Sequence, residues 1–182
     1  MQDKALYPVG EALFLHPSDE LGRLLVMDTA TPLKASKSSP AFRMQCAVRA
    51  TISATPKRIW ALLVDPAAHA QWNSTVNRIE GAIVVGNKLK LTVPYAKERV
   101  FTPKVIALVP QRTMVWSDGF APMFKGVRTF ELSANTDGST DFSMTETFSG
   151  LILPMIKGSL ADFVPVFEAY AADLKRAAES AP

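Results

Sequence analysis

The sequence predicts an α+β domain in which an antiparallel sheet wraps a long C-terminal helix. Three observations predict it. First, between Pro154 and Ala178 apolar residues recur every three or four positions, at Ile156, Leu160, Phe163, Val164, Phe167, Tyr170, Leu174 and Ala178, while Lys157, Asp162, Glu168, Asp173 and Lys175 fall largely on the other face. A stripe this aromatic needs a broad apolar cover. Second, Met44, Cys46, Val48, Ala50 and Ile52 alternate with Gln45, Ala47, Arg49 and Thr51, the period of a strand with one buried face. Third, strand-length runs follow one another from Val76 to Ser149 with short turns between them, as antiparallel neighbours require.

In chain order, residues 1–40 read as an N-terminal extension and linker, and residues 41–182 as the domain. Ala12–His16 and Arg23–Met27 are short apolar runs separated by PSDELG, which suits either a hairpin or a helix starting at Ser18. Thr31–Pro40 has no apolar period and two prolines, the composition of a linker. The extension is expected to be a surface appendage or, more specifically, a lid or dimer arm. After the first strand, Thr55 suits a helix cap with Pro56 at the first helical position, and Ile59, Leu62 and Leu63 form the inner stripe. Asp65-Pro66 stops that helix and begins a second short one, which Trp72 closes.

Six further strands are predicted: Val76–Ile83, Lys88–Pro94, Arg99–Val109, Arg112–Ser117, Gly126–Ala134 and Thr140–Ser149, with turns at Val85-Gly86-Asn87, Val109-Pro110-Gln111 and Thr136-Asp137-Gly138. In the last helix Pro154 suits the first turn. Pro165 would delete the bond to the Ala161 carbonyl at a cost of about 3 kcal/mol, so a kink or two abutting helices is expected, with Ser159 or Asp162 capping the second.

Composition sets bounds on function. At 182 residues and 48% hydrophobic, the chain suits one globular domain with a sizeable core. Its net charge is +3, its cations are scattered singly, and no basic cluster interleaves with aromatics, which argues against nucleic acid as a partner. The single cysteine, Cys46, leaves no intramolecular disulfide and fits a reducing, cytoplasmic location. It falls on the buried face of its strand, where it reads as a small core hydrophobe. The first twenty residues are broken by Pro8, Glu11 and Pro17 and do not read as a signal peptide. No run of about 18 apolar residues predicts a membrane span.

The last hairpin can be registered from parity alone. Arg128, Phe130 and Leu132 share one strand face, and Phe142, Met144, Glu146 and Phe148 share another. Both apolar sets reach the same side only if partner numbers sum to an even value, which excludes a two-residue Asp-Gly turn and selects the three-residue loop Thr136-Asp137-Gly138. Phe130 then faces Met144, Leu132 faces Phe142, and Arg128 faces Glu146. The last pair is either a cross-strand salt bridge at a solvated end of the sheet or a polar anchor inside a ligand cavity.

The run VRATISATPKRIWALLVDPAAHAQWN, from Val48 to Asn73, resembles the opening of the START/Bet v 1-like (SRPBCC) superfamily, also called the polyketide cyclase/dehydrase and lipid transport superfamily. Its strand, its Pro before a helix, its Val/Ile-Trp, its Asp and its later Trp-Asn have counterparts in Pro56, Ile59-Trp60, Asp65 and Trp72-Asn73. The stretch FKGVRTFELSANTDGSTDFSMTETFSGLILPMI is similar to that superfamily's last hairpin and the Ser149-Gly150 lead-in to its terminal helix. The resemblance covers about residues 42–180 and implies a helix-grip fold: a seven-stranded antiparallel sheet curled around the C-terminal helix, enclosing a cavity for an apolar molecule. It does not fix a function, since one fold hosts carriers, receptors, cyclases and chaperone regulators.

Little catalytic chemistry is legible. Two histidines, His16 and His69, and one cysteine assemble neither a zinc set nor a nucleophile pair, and Gly81, Gly86 and Gly119 are isolated, so no metal or cofactor is expected. The candidate acids or bases on predicted inward faces are Glu146 and Asp118, with Arg128 placed to polarise a carbonyl. The binding reading draws on Trp72, Trp116, Phe130, Met144 and Phe148 from the sheet side and Phe163, Phe167 and Tyr170 from the helix. The loop Asp118–Lys125 adds Phe120, Met123 and Phe124, which suit a gate over a cavity mouth or a contact with the N-terminal arm or a second subunit as a homodimer. Carriage of a hydrophobic small molecule or lipid is therefore the leading expectation. The alternatives are a cyclase/dehydrase-type enzyme using Glu146 and Arg128, and an interaction module resembling chaperone activators of the same fold.

Overall fold

The computed structural model describes residues 33–180 apart from positions 97 and 161 and the side chain of Ser159. The expected hairpin or helix within residues 12–27 lies outside the described residues. Eight strands and four α-helices follow in the order β1 (Ser36–Ser38), β2 (Arg43–Ile52), α1 (Pro56–Val64), α2 (His69–Trp72), β3 (Arg78–Glu80), β4 (Lys90–Thr92), β5 (Lys104–Val109), β6 (Thr113–Phe120), β7 (Phe124–Ala134), β8 (Thr140–Ser149), α3 (Leu153–Ile156) and α4 (Phe163–Glu179). One antiparallel sheet has the order β1-β2-β8-β7-β6-β5, and β3 and β4 form a separate two-stranded ribbon. This is the helix-grip α+β fold.

The alternation read in β2 is the burial pattern observed, with Met44, Cys46, Val48, Ala50 and Ile52 all inward. Burial pushes the Cys46 thiol up to about 11, so it sits in the core as a neutral hydrophobe. Thr55 caps α1 by accepting the Arg58 N–H, Pro56 takes the first turn, and Asp65 ends the helix. The β7–β8 register pairs Phe130 with Met144, Leu132 with Phe142 and Arg128 with Glu146, as parity required, and Gly138 takes a left-handed φ of +87° in the loop.

Four features differ from the sequence reading. The sheet has six strands rather than about seven. The ribbon β3–β4 is not laddered into this sheet and meets the chain at β5 through the bridges Lys88 to Lys104 and Leu91 to Phe101 and a few backbone bonds such as Gly86 N–H to the Val105 carbonyl, while β1, inside the stretch read as linker, adds an edge strand on β2. The β6–β7 hairpin runs to Phe120 and Phe124, so the stretch Asp118–Lys125 is mostly strand with a tip of Ala121, Pro122 and Met123. The terminal helix is two helices, as expected, with Asp162 capping the second by accepting the Val164 N–H; what differs is the place of Pro165, which follows the break and sits in the first turn of α4 where no intrahelical donor is needed. The fourth difference is that Asp173 is buried rather than on the outer face. It accepts the Ser74 N–H at 2.7 Å and the Ser74 hydroxyl at 2.6 Å; burial opposes its charge, but these bonds and Arg176 hold the carboxyl below its usual value.

Asp173 is one of three carboxylates by which α4 is pinned to the chain around it. Glu168 accepts the Ala35 N–H at 3.0 Å and Glu179 accepts the Ser53 N–H at 2.7 Å. The helix therefore secures, through charge-assisted bonds, backbone donors that the sheet leaves unpaired. Along its inner stripe Phe163, Phe167, Tyr170, Leu174 and Ala178 are buried against the sheet.

His69 is fully buried in α2, with Nδ1–H donating to the Asp65 carbonyl at 2.9 Å and its ring 5.0 Å from Trp72. Burial disfavours the imidazolium and depresses its pKa below the ordinary 6.5. The unfolded chain thus takes up a proton that the fold refuses. Stability from this group is complete above about pH 6.5 and is lost as pH falls below it. In urea unfolding at pH 7.5 and pH 5.5, the wild type is expected to lose more stability than His69→Gln; equal losses would refute this assignment.

Candidate functional site

At the N-terminal end of α4 the helix and sheet part to leave a cleft of about 480 Å³. Three walls form it. The sheet contributes Trp116, Asp118, Phe124, Gly126, Arg128, Glu146 and Phe148; the segment after β4 contributes Tyr95, Arg99, Phe101 and Pro103; Ile152, Ile156, Leu160 and Phe163 close the third side. Its apolar lining is a run of rings: Phe124 stacks on Phe148 at 5.8 Å, and Phe148 on Phe163 at 5.2 Å. Gly126 keeps the floor open, since a Cβ there would lie 3.3 Å from the Phe148 ring and 3.9 Å from Glu146 Oε1.

The polar element is the Arg128–Glu146 ion pair. Arg128 donates to Glu146 Oε2 through both Nε, at 3.1 Å, and a terminal nitrogen, and both side chains are nearly buried, at 14% and 13% exposure. The guanidinium also lies 5.4 Å from the Phe167 ring centroid. Burial opposes the Arg128 charge, but the Glu146 carboxylate beside it holds the proton more firmly than usual. Burial raises the Tyr95 and Tyr170 phenols, against which the Arg128 charge pulls. The Trp116 indole N–H is buried at the cleft wall without an acceptor among the described residues.

Of the residues singled out in the sequence, Trp116, Phe124, Arg128, Glu146, Phe148 and Phe163, together with Asp118, are brought together here. Trp72, Phe130, Met144, Phe167 and Tyr170 are not; they fill the packed core behind it, with Trp72 edge-on to Tyr170 at 5.5 Å and Phe130 edge-on to Trp116 at 5.1 Å. Phe120 stands outside the lining and is 67% exposed. The sequence reading missed the wall after β4: Tyr95 fell between two predicted strands, and Phe101 lay in the predicted strand Arg99–Val109 but was not singled out as a lining residue. It also placed Ile156 and Leu160 on a continuous helical stripe, whereas the helix break turns them onto the cleft. A second depression, of about 560 Å³ beside Arg49, Arg112, Glu131 and Asp141, lacks the run of aromatic rings. Among the described residues no group of His, Cys, Asp and Glu is placed to hold a metal ion, and no helix is long and apolar enough to cross a membrane.

Residues 44–180 match the family described as polyketide cyclase / dehydrase and lipid transport. The chain belongs to this family. Solved structures similar to this family member include a conserved protein of unknown function from Enterococcus faecalis (16% identity, 82% of this chain and 81% of that one, TM-score 0.56). Others are the Aha1 dimer from Colwellia psychrerythraea (21%, 74% and 96%, 0.56) and a START superfamily protein from Mycobacterium smegmatis (17%, 74% and 97%, 0.55). At these identities the likeness speaks for the shared fold alone. No curated protein matches the sequence. Family and fold together make this a ligand-binding type of architecture.

Proposed function

We propose that this protein binds a hydrophobic small molecule or lipid in the cleft at the N-terminal end of α4, with Phe124, Phe148 and Phe163 packing against its apolar body. The observation that carries the reading is a cleft of about 480 Å³ whose aromatic walls converge on one buried ion pair and one unpaired indole donor. That is the make-up of a small-molecule site: apolar area for affinity, a few fixed polar groups for orientation. The Trp116 N–H favours a ligand bearing a hydrogen-bond acceptor, such as a carbonyl or carboxyl oxygen, placed beside the Arg128 charge. An acid–base role for Glu146 has less support, since its carboxylate is already engaged by Arg128.

Two measurements test this. Native mass spectrometry of protein purified from its own source is expected to show an apolar adduct that denaturation releases. Titration with N-phenyl-1-naphthylamine is expected to show saturable binding, which Gly126→Val weakens roughly tenfold by filling the floor against Phe148 and Glu146. A wild type that neither carries an adduct nor binds the dye, or a Gly126→Val variant that binds it equally, would overturn the reading.

A further inference from the structure

Three backbone segments meet at the mouth of the cleft. The Gly150 N–H donates to the Phe42 carbonyl at 3.2 Å, the Leu151 N–H to the Pro122 carbonyl at 3.0 Å, and the Ile152 N–H to the Met123 carbonyl at 3.2 Å. This junction gathers five of the eleven large apolar side chains that are exposed among the described residues: Phe42 at 58%, Phe120 at 67%, Met123 at 38%, Leu151 at 59% and Met155 at 85%. Isolated exposed hydrophobes are ordinary, but a contiguous set around a cleft mouth marks a contact surface.

The charges within it are cationic, and the nearest carboxylates, Asp118 on the cleft wall and Asp162 paired with Lys37 at 3.6 Å, flank it. The segments 39–45, 119–127 and 149–160 contain Arg43, Lys125 and Lys157 and no carboxylate. Arg43 and Lys125 are both register partners of Ser149, one on each side of β8, so they flank the patch on the outer face of the sheet. Lys157 stands beside it, donating to the Ser39 carbonyl at 2.8 Å. Exposed apolar side chains flanked by three cations are complementary to an interface with hydrocarbon beneath and negative headgroups around it.

We propose that this rim docks on the surface of an anionic lipid bilayer. Phe42, Phe120, Leu151 and Met155 enter the headgroup layer while Arg43, Lys125 and Lys157 meet the headgroup charges. The cleft mouth then faces the membrane, and Phe124, between the rim and Phe148, lies on the path inward. The proposal stands on the rim and not on what the cleft holds.

The test is sedimentation of the full chain with vesicles of phosphatidylcholine, with and without phosphatidylserine. Binding to the mixed vesicles is expected, declining as salt is raised. Leu151→Glu/Met155→Glu is expected to abolish it while keeping the wild-type melting temperature, since both side chains are exposed. Lys125→Glu is expected to weaken binding to the mixed vesicles about fivefold and leave the neutral vesicles unaffected. A wild type that stays in the supernatant, or a double variant that sediments like the wild type, overturns the proposal. So does a dimer in analytical ultracentrifugation that the double variant dissociates without any vesicle binding, which would assign the rim to a second copy of the chain. A chain that binds vesicles but not the naphthylamine dye would sink the cleft reading and leave this one standing.

Discussion

Gly150→Ala is expected to lower the melting temperature by about 6–12 °C, the consequence of roughly 3 kcal/mol in a chain of this size. Two costs add. Gly150 has a φ of +141°, a conformation that L side chains rarely adopt. A Cβ there would also lie 2.1 Å from the Met123 carbonyl oxygen and 2.6 Å from its carbon, both backbone atoms that cannot rotate away. The close approach is what lets the β6–β7 tip hydrogen-bond to the lead-in of α3, so the substitution acts on the junction that frames the cleft mouth. Gly138→Ala is the control: its φ is +87°, but nothing lies within 4 Å of the added carbon. It carries conformational strain without the clash and is expected to cost about 1 kcal/mol. Thermal melts followed by circular dichroism compare the two, and equal losses would show that the contact with Met123 is not the source.

The second large effect concerns the ion pair. Arg128→Met is expected to destabilise the fold by about 3 kcal/mol, the lower end for breaking a buried pair, because the cleft gives the orphaned Glu146 carboxylate some access to water. Adding Glu146→Leu is expected to restore most of that loss, since the double variant leaves no unpaired charge and supplies apolar surface beside Phe148 and Phe167. A double-mutant cycle in urea measures it. Additive losses would mean that the two groups do not depend on each other. The double variant also separates stability from binding: with the fold recovered, any loss of affinity for an acceptor-bearing apolar ligand falls on the polar anchor alone.

Much of this was legible because it depends on local periods. The alternation in β2, the Thr55-Pro56 start of α1 and the parity of the β7–β8 hairpin are each fixed by residues within one or two strands or turns. The Arg128–Glu146 pairing belongs to this class, since a single-residue slip would turn either Phe130 and Leu132 or Phe142 and Met144 outward. The cleft was legible only in part. Phe124, Phe148 and Phe163 could be nominated as inward aromatics, but so could Phe130, Phe167 and Tyr170, and the pattern that makes a residue inward is the same for a packed core as for a cavity wall.

The sequence alone determined the α+β class, the strand faces, the capped helix starts and the one polar pair on an apolar sheet face, because each follows from the spacing of side chains along a regular backbone. Tertiary structure decided where helix and sheet separate, that the segment 91–103 supplies a wall, that β1 adds an edge strand and that Asp173 is buried. Each of these depends on atoms distant in sequence meeting or failing to meet: Glu168 reaching the Ala35 N–H, Asp173 reaching Ser74, and the break at Asp162 turning Leu160 and Ile156 away from the stripe continued by Phe163. A period specifies which face looks inward. Only the assembled packing specifies whether anything stands opposite it.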